Sequence, residues 1–172
     1  MRRAAFWVLA VFAPVLTGAG IYLLWRPTTL RVFGWLGQLG MDGPLRGARE
    51  LALPFGQALP AWVLYSLPDG LWALALSAAM ARIWRGRLGG PLGSPLGSPL
   101  GGLGAWAWVG AGLLIGVGGE GLQLLGWLPG TPDFMDALTS LVGAGVGVWV
   151  GLDPRGWTDP ARDSEAAAPS LG

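Results

Sequence analysis

Four long apolar blocks, separated by short polar or glycine-rich stretches, set the pattern of this chain. Residues 4–25 contain no charge and follow Arg2 and Arg3. Residues 58–84 carry Asp69 near their start, residues 103–128 carry Glu120, and residues 132–152 begin with Asp133 and Asp136. About 20 apolar residues are needed for a helix to cross the hydrocarbon core of a bilayer. The pattern therefore predicts an all-α protein, a small transmembrane bundle of about four helices arranged as two hairpins. The first block has the basic start of a signal peptide, but it is too long for one and ends in Tyr22-Leu23-Leu24-Trp25-Arg26, an interfacial ending that reads as an anchor. Pro14 is expected to kink it.

The intervening stretches divide the chain further. Leu30, Phe33, Leu36 and Leu39 recur every third residue in the first loop, which predicts a short amphipathic helix along the interface. Residues 89–102 repeat Pro-Leu-Gly-Ser and read as a linker between the hairpins. From residue 153 to 172 the chain is rich in Pro, Asp and Ala and reads as a disordered tail, leaving 1–152 as the membrane domain. Tryptophans at positions 7, 25, 62, 84, 106, 127 and 149 fall near the expected helix ends, at headgroup level. A soluble core holding eleven tryptophans is the competing reading, and the bilayer-like spacing disfavours it.

Composition sharpens this. Hydrophobic residues make up 52% of the chain and charged residues 12%, against about a quarter charged in soluble domains. A net charge of +1 without a basic cluster excludes a nucleic-acid partner. Without cysteine or histidine there is no thiolate chemistry and no Ser-His-Asp triad, and only carboxylate-based metal sites are left; no cofactor or metal is assigned, and chemistry would run on Asp, Glu, Arg and hydroxyls. Arg2, Arg3, Arg82, Arg85, Arg87, Arg155 and Arg162 fall on one side of a four-span layout, so the positive-inside rule places both termini in the cytoplasm. Arg26, Arg31, Arg46 and Arg49 in the first loop dissent.

The acidic residues inside the blocks are the candidate site. An ionisable group in the membrane is costly unless paired, hydrated or neutralised. Glu120 with Gln123, and Asp133 with Asp136, are each one helical turn apart and share a face. A hairpin turning at Pro129-Gly130 brings Glu120 and Asp136 to comparable depth, with Asp69 entering from the second span. Gly112 and Gly116 continue the face of Glu120, and Gly143, Gly147 and Gly151 continue that of Asp136 and Ser140, ridges along which the two helices are expected to touch. Asp69 and Asp133 also read as helix N-caps, Ser66 pairs with Asp69 as a capping box, and Thr131-Pro132 reads as a cap before an N1 proline. Glu120 is expected mid-helix.

Glu120-Gly-Leu-Gln123, then Pro129-Gly130, Asp133-Phe-Met-Asp136 and Gly143-Ala-Gly resemble the VanZ-like family of bacterial integral membrane proteins. The resemblance covers about 30 residues. It departs where that family has Arg after Pro-Gly, here Thr131 or Pro132, and where it has Asn, here Ser140. If that Arg reads an anionic group, this chain has lost the contact or supplies it from Arg26 or Arg31. The family's named member is associated with low-level resistance to the glycopeptide teicoplanin. The resemblance implies a bacterial cytoplasmic-membrane protein with a polar site near the outer leaflet. Three readings follow: a pocket of Asp69, Glu120, Gln123, Asp133, Asp136 and Ser140 binding a lipid headgroup, cell-wall precursor or cation; a membrane enzyme using a carboxylate pair on a lipid-linked substrate; or a scaffold whose polar residues only join helices. Membrane lipid is the expected partner in each, and the oligomeric state is left open.

Overall fold

The computed structural model describes residues 2–28, 31–88, 107–127 and 133–152. The linker over 89–102, the tail over 153–172, and Pro129, Gly130, Thr131 and Pro132 lie outside the described residues. All regular elements among the described residues are helices.

Helix α1 is unbroken through Arg2–Phe6, a π-helical stretch Trp7–Phe12, and Ala13–Trp25. The π stretch is where Pro14 acts. Proline lacks an N–H, and its ring collides with the carbonyl four residues back in a regular helix. The preceding turn widens instead, with Ala13 N–H donating to the Val8 carbonyl, a local π-bulge that accommodates the ring. Then follow α2 (Arg31–Gln38), α3 (Asp42–Ala58), α4 (Ala61–Tyr65), α5 (Leu67–Leu88), α6 (Ala111–Leu124) and α7 (Phe134–Leu152).

Among the described residues, two helices are long and apolar enough to cross a membrane, Ala4–Trp25 and Phe134–Leu152. The second apolar block is not one helix: Pro60 caps the short α4, and the chain re-enters a helix only at Leu67. The third block ends at Leu124, short of residue 128. Gly126 there has φ +72°, with Trp127 N–H on the Leu122 carbonyl and Gly126 N–H on the Gln123 carbonyl, a Schellman stop that a left-handed glycine makes easy.

The first loop holds more structure than its pattern predicts. Helix α2 forms, with Phe33 buried, but Leu39 lies past its end and is exposed. The 17-residue α3 was not expected. Its packed strip recurs as Leu45, Arg49, Ala52 and Gly56, facing α1: Trp25 Nε1 donates to the Ala52 carbonyl at 3.0 Å, and its indole fills the space a Gly56 side chain would need. Arg49 closes the C-terminus of α1, donating to the Leu23 carbonyl at 2.5 Å and the Arg26 carbonyl at 2.8 Å while stacking over Phe33 at 5.2 Å. A cation there satisfies orphan carbonyls and complements the helix dipole. One dissenting arginine is thereby a structural clamp. Arg49→Met, which keeps the stem and removes the donors, should release α3: hydrogen exchange over residues 45–58 should quicken about tenfold or more, since charged hydrogen bonds contribute about 1.5–3 kcal/mol each, while α5 and α7 stay protected.

Helix α5 is the centre, packed on α1, α6 and α7. Its contact with α7 is the most extensive in the fold. The two run parallel in a constant register: Thr139 reaches the Ser66 carbonyl, a side chain at Gly143 would strike the Gly70 carbonyl, one at Gly147 the Leu74 carbonyl, and one at Gly151 the Ala78 carbonyl. The glycine ridge of α7 therefore seats on α5, not on α6 as its sequence neighbour suggests. Gly112 also faces α5, against Ala73 and Ser77, while Gly116 meets Ser140 of α7. Beside Phe6 and Val109, the interior is built mostly from small residues, with Ala73, Ala75, Ala78, Ala81, Ser77 and Ser140 buried, whereas Leu16, Leu114, Ile115, Leu124, Val142 and Trp149 are exposed.

Candidate functional site

At one end of the bundle, a cleft of about 270 Å³ opens between α5, α6 and α7. Asp69 and Trp72 line it from α5, Gly116, Glu120 and Gln123 from α6, and Asp136 and Ser140 from α7. Gly112 lies at its inner wall. Five of the six residues expected in the pocket line the cleft, Asp69, Glu120, Gln123, Asp136 and Ser140; of the packing glycines Gly112 and Gly116 line it too, while Gly143 and Gly147 face α5 outside it.

Each position has a local cause. Asp69 sits in the first turn of α5 and Asp136 in the first turn of α7, where the positive end of the helix dipole favours a carboxylate. Glu120 is not mid-helix: because α6 stops at Leu124, it stands one turn from the end, and it is tied rather than idle. Its Oε2 accepts the Asp133 backbone N–H at 2.7 Å, linking α6 to the start of α7. Asp133 does not line the cleft. Its Oδ1 accepts the Met135 N–H at 2.8 Å, so it is the N-cap of α7. The helix begins at Phe134, beyond the Thr131-Pro132 start that the sequence suggested. Ser66 is buried and acts through its carbonyl, which accepts Thr139 Oγ1 at 2.9 Å, in place of a capping box with Asp69.

Two acceptors in the cleft are buried without a hydrogen-bond partner among the described residues, Asp136 Oδ1 and Ser140 Oγ, one turn apart on α7. Asp136 and Glu120 both lie within range to repel Asp69, and Arg26 is the cation that opposes this charge there. Arg26 is itself held, its Nη2 donating to the Tyr65 carbonyl at 2.6 Å and its guanidinium stacked over Tyr22 and Tyr65. Of the two arginines considered as stand-ins for the turn arginine, Arg26 is the one near the acids. Among the described residues no group of three or more acidic side chains is arranged to hold a metal ion.

Trp72 escaped notice in the sequence because one tryptophan among eleven carries no signal. It walls the cleft, its indole N–H reaching the Val15 carbonyl at 3.4 Å beside Gly18. Thr139 was also missed; a hydroxyl between Asp136 and Ser140 in an apolar helix was the available cue. No family model matches this chain, and neither a curated protein nor a solved structure matches it.

Proposed function

We propose that this chain is a VanZ-like integral membrane protein of the bacterial cytoplasmic membrane, with both termini inside and a binding pocket near the outer leaflet formed by Asp69, Glu120, Gln123, Asp136 and Ser140. The observation that carries the reading is the inversion of the usual burial pattern. Apart from Phe6, Phe33 and Val109, mostly small residues are buried, many large apolar ones are exposed, and only 17% and 28% of the two helical windows apolar enough to cross a membrane are buried. Close packing through Gly, Ala and Ser is how helices associate in lipid, which solvates Leu and Val as well as a core does. Convergence of acids on one cleft in that setting supports a bound guest, because polar groups there must be partnered or hydrated. The α1, α5, α6 and α7 helices are the four spans of the proposed bundle, with α2 and α3 at the outer interface. The guest's binding links the protein to the cell envelope, a teicoplanin response included.

Single cysteines test the topology in a chain that has none of its own. An impermeant maleimide applied to intact cells is expected to label Thr131→Cys and to spare Ser94→Cys. Labelling of Ser94→Cys alone would invert the arrangement and put the cleft on the cytoplasmic side.

A further inference from the structure

We infer that the guest of this cleft is an ammonium group, carried by a small soluble amine or by the headgroup of an aminophospholipid; the inference rests on the membrane-pocket reading above. Charge is the first reason. Three carboxylates, Asp69, Glu120 and Asp136, share the cleft, and one cation, Arg26, opposes them at Asp69, so its single positive charge leaves the acids in excess. An anionic or neutral guest would leave the repulsion in place. A cation removes it.

The second reason is independent of charge. Ser140 is 1% exposed, and its unpartnered hydroxyl lines the cleft one turn below the unpartnered Oδ1 of Asp136. Gly116 packs on it, where a side chain would come within 2.5 Å of Ser140 Oγ, so glycine lets α6 close on α7 without a side chain displacing this hydroxyl. An ammonium offers N–H donors and no acceptor, the complement of these acceptors. A hydroxyl guest would match Ser140 as well but would leave the carboxylate charge unbalanced.

The walls distinguish an organic ammonium from a hydrated metal ion. Trp72, Leu76 and Ile115 complete the cleft beside the acids. They suit the carbon skeleton of an amine, and an indole face attracts a cation lying over it. At about 270 Å³ the cleft is slightly below the ~300 Å³ at which small-molecule pockets usually begin. It holds a headgroup, not a whole lipid.

The full chain, reconstituted in nanodiscs of phosphatidylglycerol alone, is titrated with ethanolamine and, as the uncharged analogue, ethylene glycol, following the thermal midpoint. In a second arm phosphatidylethanolamine replaces half of the lipid. Ethanolamine or phosphatidylethanolamine should raise the midpoint and ethylene glycol should not; response to the first indicates a soluble amine, and response to the second alone a lipid one. Asp136→Asn and Ser140→Ala should each weaken the amine's apparent affinity, by about tenfold or more for the charged partner. No response in either arm, an equal response to ethylene glycol, or full response in both variants would overturn the assignment. Should inorganic phosphate stabilise the protein in an Asp136-dependent way, the ammonium is overturned while the pocket stands. A variant-insensitive chain in every arm removes both.

Discussion

Gly143→Val should break the bundle. A side chain at this position meets the Gly70 carbonyl of α5, whose carbon lies at 2.8 Å and whose Cα lies at 3.2 Å. Overpacking usually costs about 1–3 kcal/mol when neighbouring side chains can yield. Here the obstacle is backbone, so relief requires α5 and α7 to move apart, and the contacts of Gly147 with Leu74 and of Gly151 with Ala78 and Ala81 go with it. The expected cost exceeds about 3 kcal/mol, read as loss of monodisperse protein after detergent extraction. Gly145→Val is the control. That glycine is exposed with nothing near a built side chain, and valine is the better helix former by a few tenths of a kcal/mol. Its thermal midpoint should be unchanged or slightly higher. Equal damage from both substitutions would show that the register between α5 and α7 is not what holds the fold.

Asp136→Asn should stabilise the protein when no amine is present. The substitution removes repulsion with Asp69 and puts a neutral amide, cheaper to bury without a partner than a carboxylate, at the buried end of the side chain. An unsatisfied buried polar group costs about 1–3 kcal/mol; the lost attraction between the carboxylate and the α7 dipole is worth about 0.3–1 kcal/mol. The first effect wins. A gain of about 1 kcal/mol corresponds to about 2–4 °C in a chain of this size, measured in phosphatidylglycerol nanodiscs. Binding sites commonly sacrifice stability in this way. A purely structural role predicts the reverse: if the carboxylate joined helices, Asp136→Asn and Glu120→Gln would lower the midpoint together.

Much of this was legible because hydropathy and small-residue spacing act locally. The helical class, the polar character of the Glu120–Ser140 hairpin and the glycine ridge of α7 all follow from residues within two turns of each other. What the ridge packs against does not. Gly143, Gly147 and Gly151 seat on α5, about 73 residues earlier in the chain, because α5 presents the backbone of Gly70, Leu74 and Ala78 at the same four-residue interval, a coincidence of two distant patterns. Helix α3 was invisible for a related reason: Pro44, Pro54 and three glycines lower its intrinsic propensity. It is held by Arg49 and Trp25, contacts that sequence separation hides. The end of α6 turned on one left-handed glycine, Gly126, which moved Glu120 from mid-helix to the rim and gave it the Asp133 amide as a partner.

The central claim is that the exposed apolar surface of this bundle faces lipid, so that the acids are driven to share one cleft. Spin labels placed singly at Leu16, Leu114 and Val142, positions 69%, 64% and 57% exposed, test it in the reconstituted protein through collision with oxygen and with a water-soluble nickel chelate. High oxygen and low nickel accessibility at all three, with the opposite balance for a label at Gln57 on α3, is the expected result. Nickel accessibility at Leu114 and Val142 as high as at Gln57 would contradict it.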